Sequence, residues 1–314
     1  GYDAPLTSNI DTLAKNFSCW IKSESTAATL AKDGADAYTA CMRQSSGSTG
    51  QIATLIMGAD AAWGESSGPV APNAVPQRSK VDESAIEQVA KVIEAGGNTV
   101  LLLEHHGSEQ AAMAIASKIA GKTGCKLFNS TFPARVDGGP GRVAVERLPY
   151  FPEQVLSTLS EVKNLILVGG EIPASFFAYK NTPGQLIPEG CQVSRLSFIE
   201  EDSIDALERL ADRLGANKFK TTYFEKQEIG KPTGELNTKT IIQSLAATLP
   251  ENVVVCTDSG GGNAAYPMCQ NTTPNSWLSL TGGAIGQGGP CAVGAALACP
   301  DQRVLAALGD GGAA

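Results

Sequence analysis

Uninterrupted apolar runs of strand length recur along the chain: Ile52–Met57, Thr99–Leu103, 164–168 (NLILV), Val253–Cys256 and Val304–Leu308. None alternates with polar residues. A run of that kind predicts a strand covered on both faces, the habit of parallel sheets. Amphipathic helices are predicted between the runs. Asp82 is a plausible N-cap for a helix whose one face carries Ile86, Val89, Ala90 and Ile93 and which closes at Gly96-Gly97. Helical patterns follow at 108–121, 203–214 (stopped by Gly215), 237–249 and, built from small residues, 289–298. Strands interleaved with helices predict layered α/β domains with parallel sheets.

Two polar stretches break this alternation. Residues 64–82 are rich in prolines and poor in apolar side chains, and 216–234 are charged and interrupted by Pro232 and Gly234; both have linker chemistry. A Gly47–Gly50 turn signal precedes the first apolar run. The organisation expected is three blocks, 1–70, 83–215 and 235–314.

Charge and cysteine usage narrow the function classes. The net charge is −8, with no basic tract, so a nucleic-acid partner is not expected. No apolar run reaches the ~18 residues of a membrane span, and a cytoplasmic protein is expected. The eight cysteines form no Cys-x-x-Cys pair and the two histidines are adjacent, so no zinc-ligand spacing exists. Buried thiols in a reducing compartment are the expectation.

The chemistry-bearing signals concentrate after residue 253. Two strands each lead into glycines with a carboxylate: Asp258-Ser-Gly-Gly-Gly262, and Gly309-Asp310-Gly311-Gly312. Ligands of open parallel sheets sit beyond the carboxyl ends of strands. Glycines there let backbone N–H groups approach phosphate oxygens, and a lone Asp suits magnesium, which combines one or two carboxylates with phosphate oxygens and water. Glycine-rich turns also end strands without any ligand, so the segment between the two loops carries weight.

That segment reads Thr281-Gly-Gly-Ala-Ile-Gly-Gln-Gly288, followed by a small-residue helix, a Pro300-Asp301 turn and the strand ending in Gly-Asp-Gly. In this order the motifs resemble the diphosphate-binding domain of thiamine-diphosphate enzymes, the group containing acetolactate synthase, benzoylformate decarboxylase and pyruvate decarboxylase. Tyr2–Asp11 and Gly50–Asp60 are similar to late parts of that family's pyrimidine-binding domain. Residues 144–154 and 165–179 look like the central domain of acetolactate-synthase-like large subunits.

The resemblance implies α/β parallel-sheet domains of the thiamine-diphosphate-binding type with a Rossmann-like central domain. Residues 1–70 would be the C-terminal part of the pyrimidine domain, 83–215 the central domain and 235–314 the N-terminal part of the diphosphate domain. It also implies thiamine diphosphate and magnesium as cofactors, a 2-oxo acid such as pyruvate as substrate, carboligase or decarboxylase chemistry of the kind used in branched-chain amino acid biosynthesis, and a homodimer or homotetramer for the full-length protein. Thiamine diphosphate supplies a thiazolium that attacks the 2-oxo ketone and then acts as an electron sink. By the same resemblance Asp310 would bind the metal, and Gly309, Gly311 and Gly312 would line the diphosphate. Gly260 and Gly261 would touch diphosphate oxygens through their backbone, the Gly283 carbonyl would accept from the aminopyrimidine, and Ile285 would hold the cofactor bent. The family's catalytic Glu would lie upstream of this chain and a second metal ligand, an Asn, downstream. The chain is therefore expected to be incomplete, to hold no catalytic acid or base and to be inactive alone.

Three other features are open. His105-His106 follow a strand end and read as solvated loop residues. Arg135, Arg142 and Arg147 could form an anion or flavin (FAD) phosphate site, as in acetolactate synthases proper, or stand solvated on a loop. Against flavin, Leu103-Glu104-His105-His106-Gly107 replaces the glycine-rich turn usual in the family after that strand. The alternatives to a carboligase are a benzoylformate-type decarboxylase and a non-catalytic nucleotide-binding module, the latter lacking a Gly-x-Gly-x-x-Gly after residues 99–103.

Overall fold

The computed structural model describes residues 5, 7–42, 51–71 and 73–313. The Gly47–Gly50 turn signal and part of Tyr2–Asp11 lie outside them. The chain divides into two units, residues 1–79 with 199–201, and residues 80–198 with 202–314.

The first unit contains α1 (Ile10–Ala14), β1 (Trp20–Ser25), α2 (Leu30–Met42), β2 (Ala53–Met57) and α3 (Ala59–Trp63). β1 and β2 pair in parallel, Trp20 opposite Ala53. The expected strand 52–57 is thus β2, and the stretch 64–79 belongs to this unit. Asn9 caps α1 by accepting from the Thr12 N–H at 3.0 Å.

The second unit carries two sheets. Its elements in order are α4 (Glu83–Glu94), β3 (Thr99–Leu103), a 3-10 turn (His105–Ser108), α5 (Gln110–Thr123), β4 (Lys126–Asn129), β5 (Arg135–Gly138), β6 (Glu146–Arg147), α6 (Pro152–Leu159), β7 (Asn164–Val168), β8 (Gln192–Ser197) and α7 (Ser203–Leu214). They continue with α8 (Thr238–Thr248), β9 (Val253–Thr257), α9 (Gly260–Cys269), β10 (Asn275–Leu278), α10 (Gly288–Ala298), β11 (Val304–Ala307) and α11 (Asp310–Ala313).

The first sheet runs β6-β4-β3-β7-β8, all parallel. β3 is its first strand, with β4 added on one side and β7 on the other. That is the Rossmann-like order, whose switch point lies between β3 and β7. The unbroken apolar runs are explained by the covering of both faces. Leu101, Leu103, Ile166 and Val168 join one core with α4, α5 and α7, while Val100, Leu102, Leu165 and Leu167 join another with Val155 and Leu159 of α6. Asp82 caps α4 as expected, and Asp202 caps α7 by accepting from the Ile204 and Asp205 N–H groups.

The second sheet runs β11-β9-β10-β5. β9 pairs in parallel with β10 and β11, and β10 pairs antiparallel with β5, Ser276 opposite Asp137. An edge strand of this sheet therefore comes from the 83–215 stretch, within the same compact unit. Gly139 makes the close approach that follows β5: its φ is +93°, and its N–H donates to the Gln270 carbonyl at 2.6 Å. The core joins Val136, Val253, Val255 and Trp277 to Ala246 and Leu249 around α8 and to Ala265, Tyr266 and Cys269 of α9. Among the described residues no helix is long and apolar enough to cross a membrane.

Candidate active site

β9 has β10 on one side and β11 on the other, and the chain crosses between them through α10. The carboxyl ends of β9 and β11 therefore flank the switch point of the second sheet, where a crevice is expected. Hydrogen bonds tie the two ends together. The Thr257 and Ser259 hydroxyls both donate to the Ala307 carbonyl, at 2.8 and 3.2 Å.

The glycines after β9 form a helix, not the loop expected from the sequence. Gly260 is the first residue of α9, and Ser259 is its N-cap, accepting from the Gly262 N–H at 2.9 Å. The cap overrides the poor helix propensity of three glycines. It leaves the first-turn N–H groups of Gly260 and Gly261 without intrahelical partners, at the positive end of the helix. β11 ends likewise in a helical turn, with the Gly312 and Ala313 N–H groups donating to the Gly309 carbonyl.

Asp258 links these parts, a role that reading the sequence missed. Its carboxylate is buried. Oδ2 accepts from the Gly286 N–H at 2.9 Å and the Gly288 N–H at 3.0 Å, fixing the glycine loop that leads into α10. A Cβ on Gly312 would fall 2.5 Å from Asp258 Oδ1, a buried atom with no hydrogen-bond partner among the described residues. A carboxylate closing a strand and followed by glycines was visible in the sequence; its bonds across 28 and 30 residues were not.

The loop from Thr281 to Gly288 is held by its own side chains. Gln287 accepts from the Thr281 N–H and hydroxyl and donates to the Ser279 carbonyl. Gly283 and Gly286 have φ of +73° and +100°. The Gly283 carbonyl accepts from the Ile285 N–H at 3.0 Å, which leaves its second lone pair for another donor. Ile285 is 70% exposed, and a Cβ on Gly311 would lie 3.8 Å from its Cγ2. A Cβ on Gly309 would lie 3.4 Å from that of Ser259. The structure thus brings Gly260, Gly261, Ile285, Gly309, Asp310, Gly311 and Gly312 to one crevice. Gly283 stands at its rim, with the Phe176 ring tip where a Cβ would be.

These residues fit a diphosphate and a hard divalent cation. Asp310 is exposed, and no hydrogen bond or ion pair holds its side chain among the described residues. Among them no group of three His, Cys, Asp or Glu side chains could hold a metal. An ion here would rest on a carboxylate or two, phosphate oxygens and water, as magnesium does.

Of the other candidates, His105 is exposed as expected, and others differ. His106 is not a solvated loop residue: its side chain is 14% exposed, and Nδ1 accepts from the Ser203 N–H at 3.3 Å, at the start of α7. Arg147 is not solvated either. It donates to the Asn263 carbonyl at 3.1 Å and lies 5.2 Å from the centre of the Tyr266 ring, and burial pushes its guanidinium below its ordinary value. Arg135 pairs with Asp137 at 3.0 Å. Buried thiols are found at Cys125, Cys256 and Cys269, whereas Cys19 is exposed; burial raises Cys256 to about 11 and Cys269 to about 12.

The switch point of the first sheet is filled. Glu104 Oε2 accepts from the Glu171 N–H at 2.8 Å, and a Cβ on Gly170 would overlap the Glu104 carboxylate. Cβ atoms on Gly169 and Gly107 would fall 2.8 Å from the Glu104 carbonyl oxygen and 2.6 Å from that of Val168.

Residues 260–314 match the family described as "Thiamine pyrophosphate enzyme, C-terminal TPP binding domain". Over 313 residues the chain is 38% identical to a Mycobacterium tuberculosis protein described as "Putative acetolactate synthase large subunit IlvX", covering 99% of this chain and 59% of that protein. Among solved structures, one titled "X-ray structure of a putative thiamin diphosphate-dependent enzyme isolated from Mycobacterium smegmatis" superposes with a TM-score of 0.72 at 21% identity, over 97% of this chain and 62% of the other. The Rhodococcus jostii thiamine diphosphate-dependent 4-hydroxybenzoylformate decarboxylase does so with a TM-score of 0.71 at 18% identity, over 98% and 60%. The chain spans about three fifths of the length of these proteins. Residues 260–314 thus match a thiamine-pyrophosphate-enzyme domain, the chain is similar over nearly its whole length to the Mycobacterium tuberculosis protein, and its α/β parallel-sheet fold is that of the thiamine-diphosphate-dependent enzymes it superposes on.

Proposed function

We propose that this chain supplies the central domain, part of the diphosphate-binding domain and part of the pyrimidine-binding domain of an enzyme that uses thiamine diphosphate and magnesium to act on 2-oxo acids such as pyruvate, as a carboligase or decarboxylase. The observation that carries the reading is the β9/β11 crevice, where two helix starts, a glycine loop and Asp310 converge.

When bound, thiamine diphosphate supplies the nucleophile and the electron sink for the 2-oxo acid. The chain's own residues bind and orient. The N–H groups of Gly260, Gly261 and Gly311 offer donors to phosphate oxygens, and Asp310 offers the ion a carboxylate. Asp258 keeps the glycine loop in register beneath them. The second lone pair of the Gly283 carbonyl would be free to accept from the cofactor's amine, and exposed Ile285 would hold the cofactor bent. No acid or base is assigned within the chain. The protein that contains it would act in the cytoplasm as a homodimer or homotetramer.

A non-catalytic nucleotide-binding module is the weaker reading, because Glu104 and its neighbours fill the β3/β7 crevice where a nucleotide or flavin would enter. Asp310→Asn in the protein containing this chain tests the favoured one. Calorimetry is expected to show thiamine diphosphate and magnesium affinities falling together, since Asp310 would hold the ion that a bound diphosphate needs. Unchanged affinities would remove Asp310 from the site.

A further inference from the structure

Six aromatic side chains stand together beside the cofactor loop: Phe132, Tyr150, Phe151, Phe176, Phe177 and Tyr179. Neighbouring rings lie 4.7 to 6.4 Å apart, mostly edge to face. A core cluster would hide such rings, yet Tyr150, Phe151, Phe176 and Phe177 are 43%, 54%, 45% and 57% exposed. Half-exposed aromatic rings gathered in one patch are characteristic of a binding surface.

The patch is built and aimed. The stretch after β7 folds back on itself, with Ala174 bridging Gln185, the Ser175 N–H donating to the Gly184 carbonyl and the Leu186 N–H to that of Pro173. Leu186 is buried and anchors the stem, so Phe176, Phe177 and Tyr179 lie toward the tip. The tip meets the glycine loop. The Phe176 ring occupies the space over Gly283 that any side chain there would need.

Gly283 and Ile285 are the residues that address the reacting half of the cofactor in the function proposed above, on which this step rests. A 2-oxo acid held there must place its carboxylate and ketone at that end, and Phe176, over Gly283, carries the ring patch to the same end. We infer that the patch is the wall of the substrate site that receives the side chain of the 2-oxo acid, and that it selects 2-oxo acids bearing an aryl or bulky apolar group over pyruvate. A methyl group covers almost none of the exposed ring surface, whereas a phenyl group stacks on it.

The test uses the protein containing this chain, loaded with thiamine diphosphate and magnesium, and compares benzoylformate with pyruvate. kcat/KM is expected to favour benzoylformate by about tenfold or more, the scale of apolar discrimination in a pocket. Phe177→Ala is expected to cut kcat/KM for benzoylformate about tenfold further than for pyruvate, through KM. Saturation-transfer NMR supplies a readout independent of turnover, with transfer from protein aromatic protons to benzoylformate and none to pyruvate. Preference for pyruvate, with both acids turned over, overturns this inference and leaves the proposed function standing. Turnover of neither acid overturns the proposed function, and absent transfer to benzoylformate then removes the wall as well. Equal losses for both acids in Phe177→Ala, with a smaller sedimentation coefficient, would assign the rings to a subunit contact and overturn the inference.

Discussion

The second unit holds two switch points of the same topological kind, and among the described residues their side chains occupy them differently. Between β3 and β7 the chain spends the space on itself. Glu104 reaches over Gly170 to accept from the Glu171 N–H, His106 turns inward to the start of α7, and Gly107 presses against Val168. Between β9 and β11 the glycines at 260, 261 and 311 have open space or only ordinary contact where a side chain would project, while the buried Asp258 carboxylate lies close to Gly312 and holds the 286–288 loop. Topology supplies a crevice wherever strand order reverses; side chains decide whether it is a site.

Substituting in both crevices tests that contrast. The largest loss is expected for Gly107→Ala, whose Cβ would fall 2.6 Å from the Val168 carbonyl oxygen, a backbone atom that cannot step aside. Overpacking of that kind costs about 1–3 kcal/mol, read as a fall of ~2–4 °C in Tm per kcal/mol. An unchanged Tm would show the first crevice to be looser than described. Asp258→Ala comes next, removing the acceptor of two backbone N–H groups at a cost of about 1–3 kcal/mol. Its signature is local: amide exchange at Gly286 and Gly288 should quicken while β3 and β7 stay protected. Uniformly faster exchange would mean that Asp258 supports the whole unit. The smallest effect on stability belongs to Gly311→Ala, with ordinary contact at 3.8 Å; a change within ~0.5 kcal/mol is expected. Cofactor affinity measured on the same variant should nevertheless fall, and parallel retention of affinity would place the diphosphate elsewhere.

Much of this was legible in the chain. Residues 99–103 and 164–168 read as strands because both faces of each are buried, which leaves only the first position of each, Thr99 and Asn164, polar. β5 (RVDG) and β10 (NSWL) carry no such pattern. Each is four residues long and mixes charged or polar positions with one or two apolar ones, so neither carries a period that identifies a strand. At Gly260 intrinsic propensity argues for a loop of three glycines, and the Ser259 cap makes it a helix instead. At the site, the glycines and Asp310 were visible as a motif. The contact of Phe176 with Gly283 was not, since no local pattern joins residues so far apart in sequence.

The pairing of β5 with β10 has a consequence for how the second unit is made. Ser276 and Asp137 hydrogen-bond at 2.6 Å across 139 residues of chain. Until the segment bearing β10 has been synthesised, β5 has no strand to pair with, and β10 without β5 presents a bare edge open to other chains. Closing so long a span is slow relative to local helix formation. The two sheets are therefore coupled in folding as well as in space, and severing the chain anywhere in the polar stretch 216–234 would strand each piece with half of a shared edge.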